Sequence, residues 1–380
     1  MVRDAVPLGE CARALVVKLR HHGDVLLASP VISLLKARAP QLEVDALVYD
    51  DTMPMLEGLP ALSQLYFVGR KWRDRGALAR FTLEKHLLQS LRARRYDLLV
   101  HLSEHPRGAW LARLLGVRNS VAPAMPRRGR FWAGSFTHLY PIVGGGRRHQ
   151  VELNLDALRR IGVQPDLAER SVRFVPGPDA ERAIDELVGD VAFVHMHPAS
   201  RWRFKCWPAQ RNAELIDRLA ADGHNVVLTS APEEVGFIDE ILKKTAAQPV
   251  SLAGKLSIKQ LGALTARARL FVGVDSMPMH LAAAMGTPTV ALFGPSNPVR
   301  WGPWPRGWTG EPSPYAMRGS QVRGNVALVQ GEEICVPCLE EGCFRHVQSP
   351  SECLRAMTPE RVIGAIETLL RNQASGTLPR

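Results

Sequence analysis

The sequence predicts an α/β protein of two successive doubly wound domains, each a parallel sheet with helices on both faces. Short apolar runs alternate with amphipathic helical stretches in the first half, and the same rhythm restarts after residue 178. That alternation implies parallel strands joined by helical crossovers. A chain of 380 residues with 46% hydrophobic composition also exceeds one ordinary core, which makes two domains the natural expectation.

Ala14–Leu19 (ALVVKL) reads as the first strand, followed by a helix over Asp24–Arg38 that Pro40 ends. Val44–Tyr49 leads to a short helix near Thr52–Glu57, and Gln64–Val68 to a longer one over Leu78–Leu91. Tyr96–Leu102 precedes a helix over Gly108–Leu115. Apolar spacings of three and four give such helices one core-facing side. Residues 119–150 break the rhythm with Pro, Gly and Arg, including Gly144-Gly145-Gly146. Val151–Gly162 resumes as a helix, and a Pro/Gly-rich join spans 164–178. The second half reads as strands at 191–197, 226–230, 249–254, 270–275 and 287–294, with helices at 208–221, 232–245, 257–266 and 278–285 between them. A last helix, Thr358–Leu370, opens with Thr-Pro-Glu, an N-cap followed by proline in the first turn.

The net charge of +11 is one-sided. Residues 1–150 hold 23 Lys/Arg against 12 Asp/Glu, and residues 151–380 hold 25 against 25, so the whole excess lies in the first part. It is densest at Arg70–Arg80, Arg92–Arg95, Arg127/Arg128/Arg130 and Arg147/Arg148. Such a surface suits a polyanion, an anionic membrane or a phosphorylated substrate, the plain alternative being charge for solubility. No apolar run approaches the ~20 residues of a membrane-spanning helix. The N-terminus lacks the apolar core and cleavage site of a signal peptide, so the expectation is a soluble, non-exported protein. The six cysteines are then not read as a disulfide framework.

Ligands of doubly wound domains sit outside the carboxyl ends of the strands, and three sequence features fall there. Asp24 closes the basic turn His21-His22-Gly23 after the first strand. It is either an ordinary acid favoured by the helix dipole or a general base toward a hydroxyl. In MHPASRWRFKCWP (196–208), Arg201, Arg203 and Lys205 alternate with Trp202, Phe204 and Trp207. Cations held between aromatics suit a phosphate, unless the loop is a basic surface segment whose aromatics plug the domain edge. In GVDSMPMHLAAAMGTPTVALFGPSNP (273–298), Asp275 ends a strand and Ser276–His280 open a helix whose free N–H groups make a phosphate site. There is no GxGxxG, Walker or GxSxG motif and no D-x-D pair for a divalent metal. A departing diphosphate would then be stabilised by cations and helix N–H groups.

LRHHGDVLLASPVISLLK, HPASRWRFKCWP and GVDSMPMHLAAAMGTPTVALFGP, with PCLEEGC and ECLRAMTPERV further on, resemble the ADP-heptose:lipopolysaccharide heptosyltransferases, glycosyltransferase family nine. Their order and spacing match over roughly 13–370, and the HHGD turn and SRWRFKCW resemble the heptosyltransferase III branch most. The resemblance implies a GT-B fold with two Rossmann-like domains facing a central cleft. It implies an acceptor domain over 1–165, an ADP-sugar domain over 170–355, and a helix over 356–380 crossing back to the first domain. It further implies inverting transfer of heptose from ADP-heptose to the phosphorylated, lipid-anchored inner core, at the cytoplasmic face of the inner membrane and with no cofactor or metal. By match to the family's motifs, Asp24 is the base, and Lys205 the lysine that pairs with the diphosphate. Asp275 is implied to bind the heptose, and Ser276, Met277, Pro278, Met279 and His280 to form the helix start under the diphosphate. Ser200 and Arg201 fall near the phosphates, Arg201 departing from the family's small hydroxyl residue. Glu233 or Glu234 aligns with the ribose contact and Leu256 with the adenine contact. Arg20, His21, His22, Gly23, Arg127, Arg128 and Arg130 are left for the acceptor.

Cys335, Cys338, Cys343 and Cys353 stand at irregular spacing, readable either as a thiolate metal site or as reduced thiols packing a loop. Two further readings compete with the heptosyltransferase. One keeps the fold and changes the nucleotide sugar or acceptor. The other is a basic nucleic-acid-binding protein with a cysteine knuckle, against which stands the lack of any recognisable nucleic-acid motif, so no nucleic-acid partner is expected.

Overall fold

The computed structural model describes residues 4–374. Its contacts divide the chain into two units. One holds the chain through Gly145 together with Gln150–Val175, and the other holds Gly146–His149 and the chain from Pro176 onward. Among the described residues, no helix is long and apolar enough to cross a membrane.

The first unit runs β1 (Arg13–Val17), α1 (His22–Leu26), α2 (Ser29–Arg38), β2 (Glu43–Tyr49), β3 (Gln64–Val68), α3 (Ala77–Arg94), β4 (Leu98–His101), α4 (Arg107–Leu115), β5 (Asn119–Pro123), α5 (Gly129–Ala133), β6 (His138–Tyr140) and α6 (Gln150–Arg160). The sheet is parallel throughout, in the order β3-β2-β1-β4-β5-β6. Ala14–Val17 are buried on both faces, which explains why the central strand reads as an unbroken apolar run.

The second unit runs α7 (Pro178–Val188), β7 (Phe193–His197), α8 (Ala209–Ala221), β8 (Asn225–Leu228), α9 (Val235–Leu242), β9 (Val250–Ser251), α10 (Ile258–Arg267), β10 (Leu270–Val274), α11 (Met277–Met285), β11 (Thr289–Phe293), α12 (Pro298–Trp301), β12 (Gln321–Arg323), β13 (Val326–Gln330), α13 (Glu352–Arg355) and α14 (Pro359–Ala374). Its sheet order is β12-β13-β11-β10-β7-β8-β9, parallel except for the β12/β13 hairpin at one edge.

Several elements differ from the sequence reading. The helix expected over 24–38 is two helices, because Pro30 in the first turn of α2 starts a new one. The helix expected after β2 is a 3-10 turn, Asp50–Met55, with Pro54 inside it. The irregular stretch 119–150 contains β5, α5 and β6, too short and too polar to show a period. Helix α7 and the β12/β13 hairpin were not anticipated. Residues 170–175 belong to the first unit, where Arg170 pairs with buried Glu152 at 2.8 Å and the Arg173 amide donates to Ser29 Oγ at 3.0 Å. Helix α14, within the 356–380 segment expected to cross back to the first domain, packs on α8, β11 and β13 and is grouped with the second unit. Residues 375–380 of that expected segment lie outside the described residues.

Trp207, one of the loop aromatics, is not at the surface. It is fully buried among Met196, Leu228 and Leu354, and its Nε1 donates to the Met357 carbonyl at 3.0 Å. Trp207→Phe is expected to lower the unfolding free energy by about 1–3 kcal/mol, because the Met357 carbonyl is left buried without a donor. Denaturant unfolding followed by circular dichroism checks this, and an unchanged midpoint would dismiss the bond.

Candidate active site

Both sheets place a central strand between neighbours reached by connections running in opposite directions. The crevice outside the carboxyl ends, at β1/β4 in one unit and β7/β10 in the other, is where such sheets bind ligands.

In the first unit the turn after β1 is held from both ends. Lys18 is buried, its Nζ donating to the Leu102 carbonyl and to Asn154 Oδ1, both at 2.9 Å. Asn154 Nδ2 donates to the Leu27 carbonyl at 2.8 Å, at the end of α1. One side chain from α6 thereby fixes the start and the finish of the segment that carries Asp24. His21 is the exposed N-cap residue of α1 and Gly23 lies in its first turn. His22 Nε2 bonds the Asp51 carbonyl at 2.9 Å, a structural tie to the turn after β2. Asp24, half-buried in the first turn of α1, has no ion pair or hydrogen bond through its carboxylate among the described residues.

Across the switch point, the loop after β4 brings in a residue the sequence did not single out. His105 is half-buried and T-stacked on Tyr49, and its Nδ1 accepts from the Arg107 amide at 3.2 Å. Burial, then the charges of Arg107, Arg73, Arg128 and Arg20, push its pKa down to about 4, so the imidazole is neutral at physiological pH. Arg20 and Arg128, expected for the acceptor, are thus brought together with Arg73 and Arg107, which were not. Arg128 also donates to the Glu104 carbonyl at 3.0 Å. Arg127 and Arg130 are exposed and form no ion pair among the described residues. Only the β1/β4 adjacency reveals His105, because 80 residues of chain separate the two loops.

In the second unit, Lys205 from the loop after β7 meets Asp275 at the end of β10. Lys205 Nζ lies 2.6 Å from Asp275 Oδ2, with both side chains largely buried. The ammonium is 4.8 Å from the Trp202 ring centroid and 5.9 Å from that of Phe204, and the two rings stack. Burial pushes the Asp275 carboxyl up, but the charge and hydrogen bond of Lys205 and a bond from Ser296 outweigh it, holding the group below the ordinary carboxylate value. Ser276, extended, stands at the N-cap position of α11 with its hydroxyl donating to the Val274 carbonyl at 3.3 Å, and Pro278 is the second helical residue. Proline has no N–H, so the donors left at this helix start are the amides of Met277 and Met279. The Pro278, Met279 and His280 side chains are buried, so this segment offers backbone rather than side chains.

The other expected donor residues are spread more widely. Ser200 Oγ accepts from the Trp202 amide at 3.4 Å, and the Arg201 guanidinium lies 5.2 Å from the Trp202 ring centroid. Arg203 is drawn away to Glu240 at 2.8 Å and the Phe237 ring. Glu234 is half-buried, accepts the Ala231 amide at 3.1 Å, and lies 4.0 Å from His197, with burial raising its pKa. Glu233 is exposed. Leu256 packs against the core around Ile184, Val227 and Leu264. Arg147, read from sequence with the basic first part, belongs to a segment of the second unit. There Asn297 Nδ2 donates to the Gly146 carbonyl and His149 Nε2 bonds the Gly302 carbonyl, both at 2.7 Å.

All six cysteines are unpaired. Cys353 is buried, and burial with the neighbouring Cys338, Cys343 and Cys335 pushes its thiol up to about 12. Among the described residues, no three or more His, Cys, Asp or Glu side chains are grouped to hold a metal ion.

The family model for glycosyltransferase family 9 (heptosyltransferase) matches residues 85–312, more than half of the chain. The chain belongs to glycosyltransferase family 9. It is therefore a transferase, as the motif resemblance implied. Lipopolysaccharide heptosyltransferase 3 of Escherichia coli is 37% identical to this family 9 chain over 321 residues, covering 82% of this chain and 93% of that protein. A family 9 glycosyltransferase from Veillonella parvula shares the fold with a TM-score of 0.79 at 21% identity, covering 97% of this chain and 99% of its own. Escherichia coli heptosyltransferase WaaC with ADP-2-deoxy-2-fluoro heptose gives a TM-score of 0.64 at 21% identity, covering 94% and 99%.

Removing one partner of the Lys205–Asp275 pair strands a charge in a poorly solvated place. Asp275→Asn is expected to cost about 3 kcal/mol, the low end for a broken buried pair, because both heads keep some solvent. The double variant Lys205→Met/Asp275→Leu is expected to recover most of that loss. Because the folded carboxyl value is depressed, the pair's stabilisation is present at neutral pH and fades as acid protonates Asp275. Urea titrations of the variants check this, and equal losses in the single and double variants would refute a charge-pair origin.

Proposed function

We propose that this family 9 transferase moves heptose from ADP-L-glycero-D-manno-heptose to the phosphorylated inner core of lipopolysaccharide, as a heptosyltransferase III, with inversion and without a metal. The similarity to heptosyltransferase 3 and to a heptosyltransferase bound to an ADP-heptose analogue supports donor and acceptor. The observation that carries the chemistry is the Lys205–Asp275 pair beside the amino end of α11.

The acceptor hydroxyl oxygen attacks the anomeric carbon from the side opposite the diphosphate while its proton passes to the Asp24 carboxylate. The bond from that carbon to the β-phosphate oxygen breaks, and the electron pair leaves with ADP. Lys205 and the amides of Met277 and Met279 take up the charge that develops on the diphosphate. Asp275 orients the heptose hydroxyls and keeps Lys205 charged until the diphosphate arrives. The expected contacts of Ser200 and Arg201 with the phosphates, of Glu233 or Glu234 with the ribose, and of Leu256 with adenine belong to this reading. Arg20, Arg73 and Arg128 around neutral His105 hold acceptor phosphate, with Arg127 and Arg130 farther out. The absence of any D-x-D pair fits leaving-group stabilisation by fixed cations. The lipid-anchored acceptor places the enzyme at the cytoplasmic face of the inner membrane.

Asp24→Asn is expected to reduce turnover by roughly 10²–10⁴-fold while donor affinity by calorimetry stays within a few-fold. Turnover near wild type would remove Asp24 as the base. Lys205→Ala is expected to weaken ADP-heptose binding and slow transfer together, and an unchanged dissociation constant would take Lys205 out of the phosphate site.

A further inference from the structure

A band of exposed apolar side chains crosses neighbouring helices of the first unit. Leu78 and Phe81 on α3 are 80% and 64% exposed, Trp110 and Leu114 on α4 are 55% and 42%, and Phe131 on α5 is 41%. Leu78 and Phe81 are three apart and Trp110 and Leu114 four apart, so each pair shares a helix face. Arg107 at the start of α4 pairs with Glu84 of α3, and Arg92 Nε of α3 donates to the Leu114 carbonyl at 3.0 Å. The Trp110 and Phe131 rings are 4.7 Å apart, which joins α4 to α5.

Cations interrupt the band. Lys85 follows Phe81 by one helical turn, Arg75 precedes α3, and Arg127 and Arg130 flank the start of α5. All four are exposed and form no ion pair among the described residues. Charge therefore selects the occupant. A second copy of the chain, meeting this band about a twofold axis, would set these cations against themselves. A bilayer with anionic lipid offers phosphates to the cations and acyl chains to the rings. Arg128, three residues before Phe131, reaches the Glu104 carbonyl beside His105, so the band borders the cationic end of the sheet.

We propose that the α3–α4–α5 band is the surface by which the first unit docks on an anionic lipid bilayer. Its rationale, a lipid-anchored acceptor, rests on the proposed function, but its test does not. Full-length protein is mixed with vesicles of equal parts phosphatidylethanolamine and phosphatidylglycerol, or of phosphatidylcholine alone, and sedimented. The wild type is expected to sediment with the anionic vesicles, less so at about 500 mM salt, and to stay in solution with phosphatidylcholine. Leu78→Ser/Phe81→Ser and, separately, Trp110→Ser are expected to weaken anionic-vesicle binding by roughly ten-fold. Both variants are expected to keep wild-type circular dichroism and transfer to a deacylated, soluble acceptor. Since these side chains are mainly in solvent, two independent variants guard against misfolding in one. Vesicle binding equal to wild type in both folded variants would overturn the proposal. So would a sedimentation-velocity dimer that either variant dissociates. Loss of transfer by the wild type on soluble acceptor would overturn the proposed function and leave the vesicle result standing.

Discussion

The second unit is organised around one charge pair. Lys205 and Asp275 come from the loops after β7 and β10, which the sheet makes neighbours, and their heads meet at 2.6 Å with little solvent. Neither charge is tolerable there alone, because the loss of hydration costs several kcal/mol per ion. The loop 198–208 must therefore fold so that Lys205 reaches the strand end. It does so by burying Trp207 in the core and stacking Trp202 and Phe204 beside the ammonium. The aromatics thus do two jobs, one anchoring the loop and two lining the cation.

The first unit reaches its own geometry by neutral and cationic means. Lys18 and Asn154 brace the turn carrying Asp24, whose carboxylate has no ion pair or hydrogen bond among the described residues. In the loop after β4, burial and then the charges of four guanidinium groups keep the His105 ring uncharged. An environment this positive is costly unless an anion completes it, the part proposed above for acceptor phosphate. The two sheets share the order of their five core strands, β3-β2-β1-β4-β5 and β9-β8-β7-β10-β11, and differ in which charges their loops supply.

Charge counting alone misleads about where those charges act. Arg94 is spent on Glu43 and buried Asp45, Arg170 and Arg159 on buried Glu152, and Arg203 on Glu240. Arg147, counted with the basic first part, is held in the second unit. Arg20, Arg73 and Arg128 around His105, and Arg75, Lys85, Arg127 and Arg130 along α3–α5, form no ion pair among the described residues.

The sequence by itself determined the doubly wound architecture, the family, and the three stretches at strand ends that carry Asp24, Lys205 and Asp275. Those properties rest on local periodicity and on motifs contiguous in the chain, where near neighbours dictate conformation. It left β5, β6 and α7 unread, since short elements stabilised by the sheet carry no period of their own. Only the tertiary structure decided that Lys205 pairs with Asp275, that Asn154 clamps the Asp24 turn, that His105 joins Arg20 and Arg128, and that Trp207 is core. Each of these joins residues far apart in sequence. Strand order, which no single segment encodes, is the physical reason they meet.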